Sequence, residues 1–312
     1  MAEIIESRFH QMLQTAFGPN MMRYFDDPDV IEIMLNPDGK IFIETLHNGK
    51  VLTPIQISSI QSESIIKLVA SFKNQISDKN SPIVSSEIPF NGARFQGWLP
   101  PIVENPCFSI RKRALKIFSL QDYLNQGILK PEHYNALKKS VLNRKNILVV
   151  GGTGSGKTTF SNALLAELQN TQDRILVLED LPELQVNASD VVNLITSDNV
   201  TMRDLVKGSL RMRPDRIIIG EVRDGCALDL LKSWNTGHPG GICTLHANSA
   251  QSAPSRLEDL IQEVVANAPI NLIVEAIDLI VFIERVPKLG RKIENIYKLE
   301  GYSNGKYQLS EI

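Results

Sequence analysis

The chain has 312 residues, 43% hydrophobic and 22% charged; this composition suits an ordinary globular protein, and the length suits two cores, because one core rarely grows past about 250–300 residues. A net charge of −2 excludes a globally basic binder of nucleic acid or anionic membrane. No apolar run nears the roughly 20 residues of a bilayer span, the start MAEIIESRFHQM lacks the basic-then-apolar order of a secretory signal, and Cys107, Cys226 and Cys243 lack CxxC spacing and read as small buried hydrophobes of a cytoplasmic protein.

In chain order, residues 30–52 alternate in period two, VIEIML then KIFIETL, around Asn36-Pro37-Asp38-Gly39, and His47-Asn48-Gly49-Lys50 supplies a second turn. This pattern predicts a small antiparallel sheet. Ile60, Ile65, Leu68 and Val69 fall at helical spacing, so a helix is expected over 57–72, packed on that sheet. Two more short strands, Arg94–Trp98 and Cys107–Arg111, flank the breaks at Pro100-Pro101 and Pro106. Residues 1–113 read as one α+β domain and 114–130 as a link containing a short helix. From 131 to 312 a helix is followed by the apolar segments NILVV, RILVLED, RIIIGE, ICTLH and DLIVFIE, separated by helical stretches, with a closing hairpin at the tail. Repeated β-α-β units with apolar strands imply a mainly parallel sheet covered on both faces.

Gly151-Gly152-Thr153-Gly154-Ser155-Gly156-Lys157-Thr158 matches the P-loop pattern in full, and it lies between an apolar strand and the helical run from Thr159. Such a loop turns backbone N–H groups of 152–159 toward phosphate oxygens, and the helix N-terminus adds its positive end. Lys157 is expected to reach the β- and γ-phosphates, and the Thr158 hydroxyl to coordinate Mg²⁺. The cofactors implied are ATP and Mg²⁺.

Phosphoryl transfer also needs carboxylates near the γ-phosphate to orient water and complete the metal shell. RIIIG ends at Glu221, with Gly220 where a conventional Walker B strand carries Asp; Glu221 is the candidate base. Glu179 and Asp180 end another strand and are candidates for orienting water and for the metal, with Glu183 close behind. The carboxyl ends of parallel strands are where such sheets bind ligands. His246 ends the ICTLH strand on the same edge as Glu221 and could sense the γ-phosphate; His238, in the preceding loop, shares that candidacy, whereas His10, His47 and His133 read as structural. Arg94, Arg111 and Arg113 close the first domain and read, on spacing alone, as a solvated basic edge.

Taken together, GGTGSGKTT, VLEDLPEL, SLRMRPDRIIIGEVR and WNTGHPGGICTLHANSA, in that order, resemble the traffic ATPases of type IV secretion, most closely the TrbB type of conjugative transfer. The likeness extends to GARFQGWLPP and FSIRKR, and so spans the chain. It implies a PAS-like α+β N-terminal domain before a RecA-like P-loop α/β domain, in a cytoplasmic homo-hexamer. It implies as well that Arg94 and Arg111 reach the nucleotide, and that Glu221 and His246 act from the core. The implied partners are inner-membrane secretion channel proteins and a coupling ATPase, with peripheral membrane contact and without direct sequence-specific nucleic-acid binding. The rival readings are a type IV pilus or type II secretion motor, a DNA-translocating RecA-like ATPase, and a nucleotide-gated scaffold. The DNA motor should bring stacking aromatics, and aromatics are only 6% of the residues.

Overall fold

A computed structural model describes residues 2–45, 48–72, 75–113, 117–197, 199–286 and 290–312, so His47 of the second predicted turn lies outside the described residues. The chain forms two compact units, Met1–Leu115 and Lys116–Ile312.

In the first unit, α1 (Ala2–Phe17) and α2 (Pro19–Asp26) precede β1 (Val30–Leu35), β2 (Lys40–Thr45) and β3 (Gly49–Gln56). Then come α3 (Ser59–Phe72), β4 (Ile83–Glu87), β5 (Arg94–Trp98) and β6 (Cys107–Arg111). Among the described residues these strands form an antiparallel sheet in the order β3-β2-β1-β6-β5-β4. The hairpin, the helix and the two short strands fall where alternation and helical spacing predict them. α1, α2 and β4 carried no reading in the sequence. Their buried residues Leu13, Phe17, Met21, Phe25 and Val84 join Ile33, Ile65 and Phe108 in one core.

The second unit opens with α4 (Leu120–Asn125), capped by a reciprocal box between Ser119 and Asp122, and α5 (Pro131–Leu142). Part of the stretch expected as a link is therefore built into this unit: Leu120, Tyr123 and Leu129 are buried against α6 and the sheet, while 114–116 lie outside the described residues. Next come β7 (Ile147–Gly151), α6 (Lys157–Ala166), β8 (Arg174–Glu179), β9 (Asp190–Ile195), α7 (Met202–Ser209) and β10 (Arg216–Val222). The chain continues through α8 (Cys226–Asn235), β11 (Ile242–His246), α9 (Ala253–Gln262) and α10 (Ile270–Ala276), and ends with β12 (Leu279–Val286), β13 (Gly290–Ser303) and β14 (Lys306–Glu311).

Among the described residues the sheet order is β14-β13-β12-β7-β11-β10-β8-β9, parallel from β12 to β9 and antiparallel from β12 through β13 to β14. β9 was missed because VVNLI is amphipathic and short, and it sits at the sheet edge, where burial demands less. Alternate strand residues feed two cores: Val149, Val177 and Ile218 pack with α4–α6, and Leu148, Leu178 and Ile219 with α7–α10. Central strands covered on both faces are apolar throughout, as burial on two sides requires.

At the amino edge of this sheet Arg216 is 1% exposed. Its Nε donates to Asp173, and Nη1 donates to the carbonyls of Val141 at 2.9 Å and Gly240 at 3.2 Å; Arg144 also pairs with Asp173. Burial pushes the Asp173 carboxyl up, but hydrogen bonds and charge from Arg216 and Arg144 outweigh it and hold the group below the ordinary carboxylate value. A lowered folded value gives stability that is complete above the unfolded value of about 3.9 and is lost as pH falls through the folded value. Asp173→Asn leaves a buried guanidinium without its anion, and is expected to cost about 3–5 kcal/mol in denaturant unfolding at neutral pH. That deficit should shrink toward strongly acidic pH; a deficit constant from pH 7 to 2 rules out this account.

Candidate active site

The turn between β7 and α6 is shaped by its glycines. Gly154 and Gly156 adopt φ of +70° and +100°, in the left-handed region that Gly tolerates. Gly152, Thr153 and Gly154 are exposed, and Gly156 at the N-cap of α6 gives it no side-chain cap, so the first N–H groups of the helix are available to an anion. Ser155 is buried, and its Oγ has no hydrogen-bond partner among the described residues. Thr158 and Thr159 are half-buried in the first turn of α6.

Lys157 is 7% exposed. Its Nζ donates to the carbonyls of Gly151 and Gly152, each at 3.0 Å, and lies 3.3 Å from His246 Nδ1. His246 Nε2 is in turn 2.9 Å from Glu221 Oε1. Lys157, His246 and Glu221 therefore converge at the carboxyl edge of three adjacent strands.

A one-residue bulge accounts for the direction of Glu221. In the β10–β11 ladder Ile219 pairs with Cys243, but Glu221 pairs with Thr244, which leaves Gly220 as the extra residue. A one-residue slip moves every following side chain to the other face. Without it Glu221 would register with Leu245 and face the α7–α10 core; with it, Glu221 shares the face of Thr244 and, two residues on, His246. Thr244 Oγ1 donates to the Gly220 carbonyl at 2.7 Å and fastens the bulge.

Glu179 lies on the other side of Gly220, 4% exposed, with Oε1 accepting the N–H groups of Glu183 at 2.9 Å and Leu184 at 2.8 Å. It pins the turn after β8. Asp180 stands at the rim, where Oδ1 accepts from Thr196 Oγ1 at 3.0 Å and Oδ2 is 3.6 Å from Arg223. Arg223, unremarked in the sequence reading, donates to Glu221 Oε2 at 2.6 Å. A signal for it existed, since residues i and i+2 of a strand share a face. His238 is a correction: it precedes β11, at the amino edge, with Nδ1 2.9 Å from the Pro214 carbonyl. Among the described residues no three His, Cys, Asp or Glu side chains are grouped to hold a metal ion. Burial pushes the thiols of Cys226 and Cys243 far up, which keeps both protonated and inert.

In the first unit, Arg94 and Arg111 are direct cross-strand partners on β5 and β6, with Glu87 opposite Arg94 and Glu32 opposite Arg111. One face thus carries the row Glu87, Arg94, Arg111, Glu32. Two adjacent guanidinium groups repel unless anions attend them. Arg113 pairs instead with Glu87 at 3.5 Å.

Residues 27–302 match the family described as Type II/IV secretion system protein. The chain belongs to that family. It is 45% identical over 304 residues to a probable conjugal transfer protein TrbB of Sinorhizobium fredii, covering 97% of this chain and 93% of that protein. It is 34% identical to the type IV secretion system protein VirB11 of Bartonella quintana, covering 88% of this chain and 89% of that one. The VirB11 ATPase from the Brucella suis type IV secretion system, solved in complex with sulphate, superposes with a TM-score of 0.51 at 25% identity, covering 95% and 96% of the two chains. The fold of this secretion family is thus a RecA-like α/β unit preceded by a smaller α+β unit.

The bulge also fixes what position 220 tolerates. A Cβ on Gly220 would lie 3.1 Å from Glu179 Cγ and 3.3 Å from its Oε1. Glu179 is held by two backbone N–H groups and cannot easily yield, so Gly220→Ala should destabilise by about 1–3 kcal/mol. Gly220→Asp, which adds a like charge against Glu179, should cost more. Thermal melts check both, and a Gly220→Asp variant as stable as the parent contradicts this packing.

Proposed function

We propose that this protein is the ATP-hydrolysing subunit of a homo-hexameric motor that powers type IV secretion of the conjugative-transfer kind. The observation that carries the reading is the convergence of Lys157, His246 and Glu221 beside a P-loop whose helix end lacks a side-chain cap. The names of the relatives support the system served.

ATP fits the cradle through the N–H groups of residues 152–159, with Lys157 moving from the loop carbonyls to the β- and γ-phosphates. Thr158 would hold Mg²⁺, which keeps several waters and takes one or two protein oxygens beside the phosphates; the ion would screen charge at the phosphoryl group. Glu221 takes the proton of the attacking water, and His246, between Lys157 and Glu221, registers the γ-phosphate. Glu179 holds the turn that presents Asp180 and is the second carboxylate for orienting that water. Arg94 and Arg111 supply cationic charge that nucleotide phosphates can satisfy. The motor works on the cytoplasmic face of the inner membrane against channel proteins and a coupling ATPase. Among the described residues no helix is long and apolar enough to cross a membrane.

Steady-state turnover and light scattering in Mg²⁺-ATP test the assignment. Lys157→Ala should lose nucleotide binding and turnover together, while Glu221→Gln should bind ATP, form six-subunit rings and hydrolyse about 10²–10⁴-fold more slowly. Full activity in Glu221→Gln sinks the base assignment, and a ring that binds ATP without turnover in the parent sinks the motor. Arg94→Ala and Arg111→Ala are each expected to slow hydrolysis on the order of 10³-fold, the scale of a transition-state arginine, and unchanged turnover in both returns them to a solvated edge.

A further inference from the structure

We propose that Arg223 is a positioning residue for hydrolysis, a clamp that ties one oxygen of Glu221 to Asp180 so that the other oxygen is held toward His246 and the P-loop. The inference rests on the reading of Glu221 as the base.

A glutamate at a strand end has three rotatable bonds, and a base that wanders by about 1 Å can lose on the order of 10²-fold in rate. Here each carboxylate oxygen has its own neighbour. Oε2 accepts from Arg223 Nη2 at 2.6 Å, and Oε1 lies 2.9 Å from His246 Nε2. Arg223 is itself fixed from the neighbouring strand, since its Nη1 is 3.6 Å from Asp180 Oδ2. Asp180 is steadied by Thr196, just past β9. The tether thus runs from β10 to β8 to β9, and its groups line one polar pocket with Thr201 and Asp224. The guanidinium holds its proton more tightly than usual, first through the hydrogen bond to Glu221 and then, against desolvation, through the charges of Glu221, Asp180 and Glu183.

Only an arginine fits this task. Its planar fork spans two carboxylates at once and stays charged, whereas an ammonium is a point charge on a flexible stem. The Arg223 side chain is 50% exposed and that of Asp180 42%. Ion pairs at such exposure add little to stability, so the arrangement is better explained by what it holds than by what it stabilises. Asp180 then serves as the anion that holds Arg223 in place, rather than as a direct metal ligand.

The test compares Arg223→Gln, Arg223→Lys, Asp180→Asn, Glu221→Gln and the double variant Arg223→Gln/Glu221→Gln as full-length rings, by steady-state and single-turnover hydrolysis with thermal melts alongside. Arg223→Gln should lower kcat about 10- to 100-fold, with KM for ATP and melting temperature unchanged. Arg223→Lys should recover part of that loss, and Asp180→Asn should show a smaller loss of the same kind. In the double variant the Arg223 change should add nothing, because the carboxylate it positions is gone. Parental kcat in Arg223→Gln overturns the clamp, as does a loss that persists undiminished in the double variant or one that appears in KM or melting temperature. A fully active Glu221→Gln overturns the base assignment and this inference with it, whereas an inactive Glu221→Gln beside an unaffected Arg223→Gln overturns the clamp alone.

Discussion

The slip in the β10–β11 ladder at Gly220 is the constraint on which the candidate site depends. Parallel strands buried on both faces leave no freedom in register, because each apolar side chain must keep its core. Ile219 and Val222 keep their places among the residues that pack with α7–α10. Only an extra residue between them can turn Glu221 to the face of α6 and His246 while they stay buried. Gly220 is that residue, fixed by the Thr244 hydroxyl on one side and crowded by Glu179 on the other. The missing Walker B aspartate and the outward glutamate are one geometric fact.

Charge order along the sheet edge follows from that geometry. From β7 outward the side chains run Lys157, His246, Glu221, Arg223 and Asp180, cation and anion in turn about an imidazole. Alternation matters because Lys157 is nearly buried and Glu221's side chain only 18% exposed, where an isolated charge would cost several kcal/mol. Each member offsets the desolvation of its neighbours. The row is therefore sensitive to an incoming anion at one end: phosphate oxygens that draw Lys157 away also change what His246 faces.

The P-loop was fully legible in the sequence because its signal is local: glycines, lysine, threonine, a strand before and a helix after. The strands carrying Glu221 and His246 were legible as apolar runs, and their shared edge followed from parallel topology. The facing of Glu221 was not, since it depends on a bulge that a single sequence does not display. His238 was misplaced for a related reason: the five-residue strand Ile242–His246 separates the two edges, and the loop motif was read as one unit with it. The N-terminal helices went unread although Leu13, Phe17, Met21 and Phe25 recur every four residues, the spacing of one helical face, and the structure buries all four.

Arg94 and Arg111 show where residue type and fold must be read together. Spacing alone makes them an ordinary basic edge, yet strand pairing sets them directly opposite, each flanked by a single glutamate. A row of that kind is balanced in total charge but not locally, because its two central guanidinium groups are neighbours and its carboxylates stand outside them. In the function proposed above, the anion that contacts both arginines is the nucleotide, and planar guanidinium forks suit phosphate oxygens better than ammonium groups would. The antiparallel sheet of the first unit therefore does for arginine what the bulge does for glutamate: backbone register sets the direction in which a charge can act.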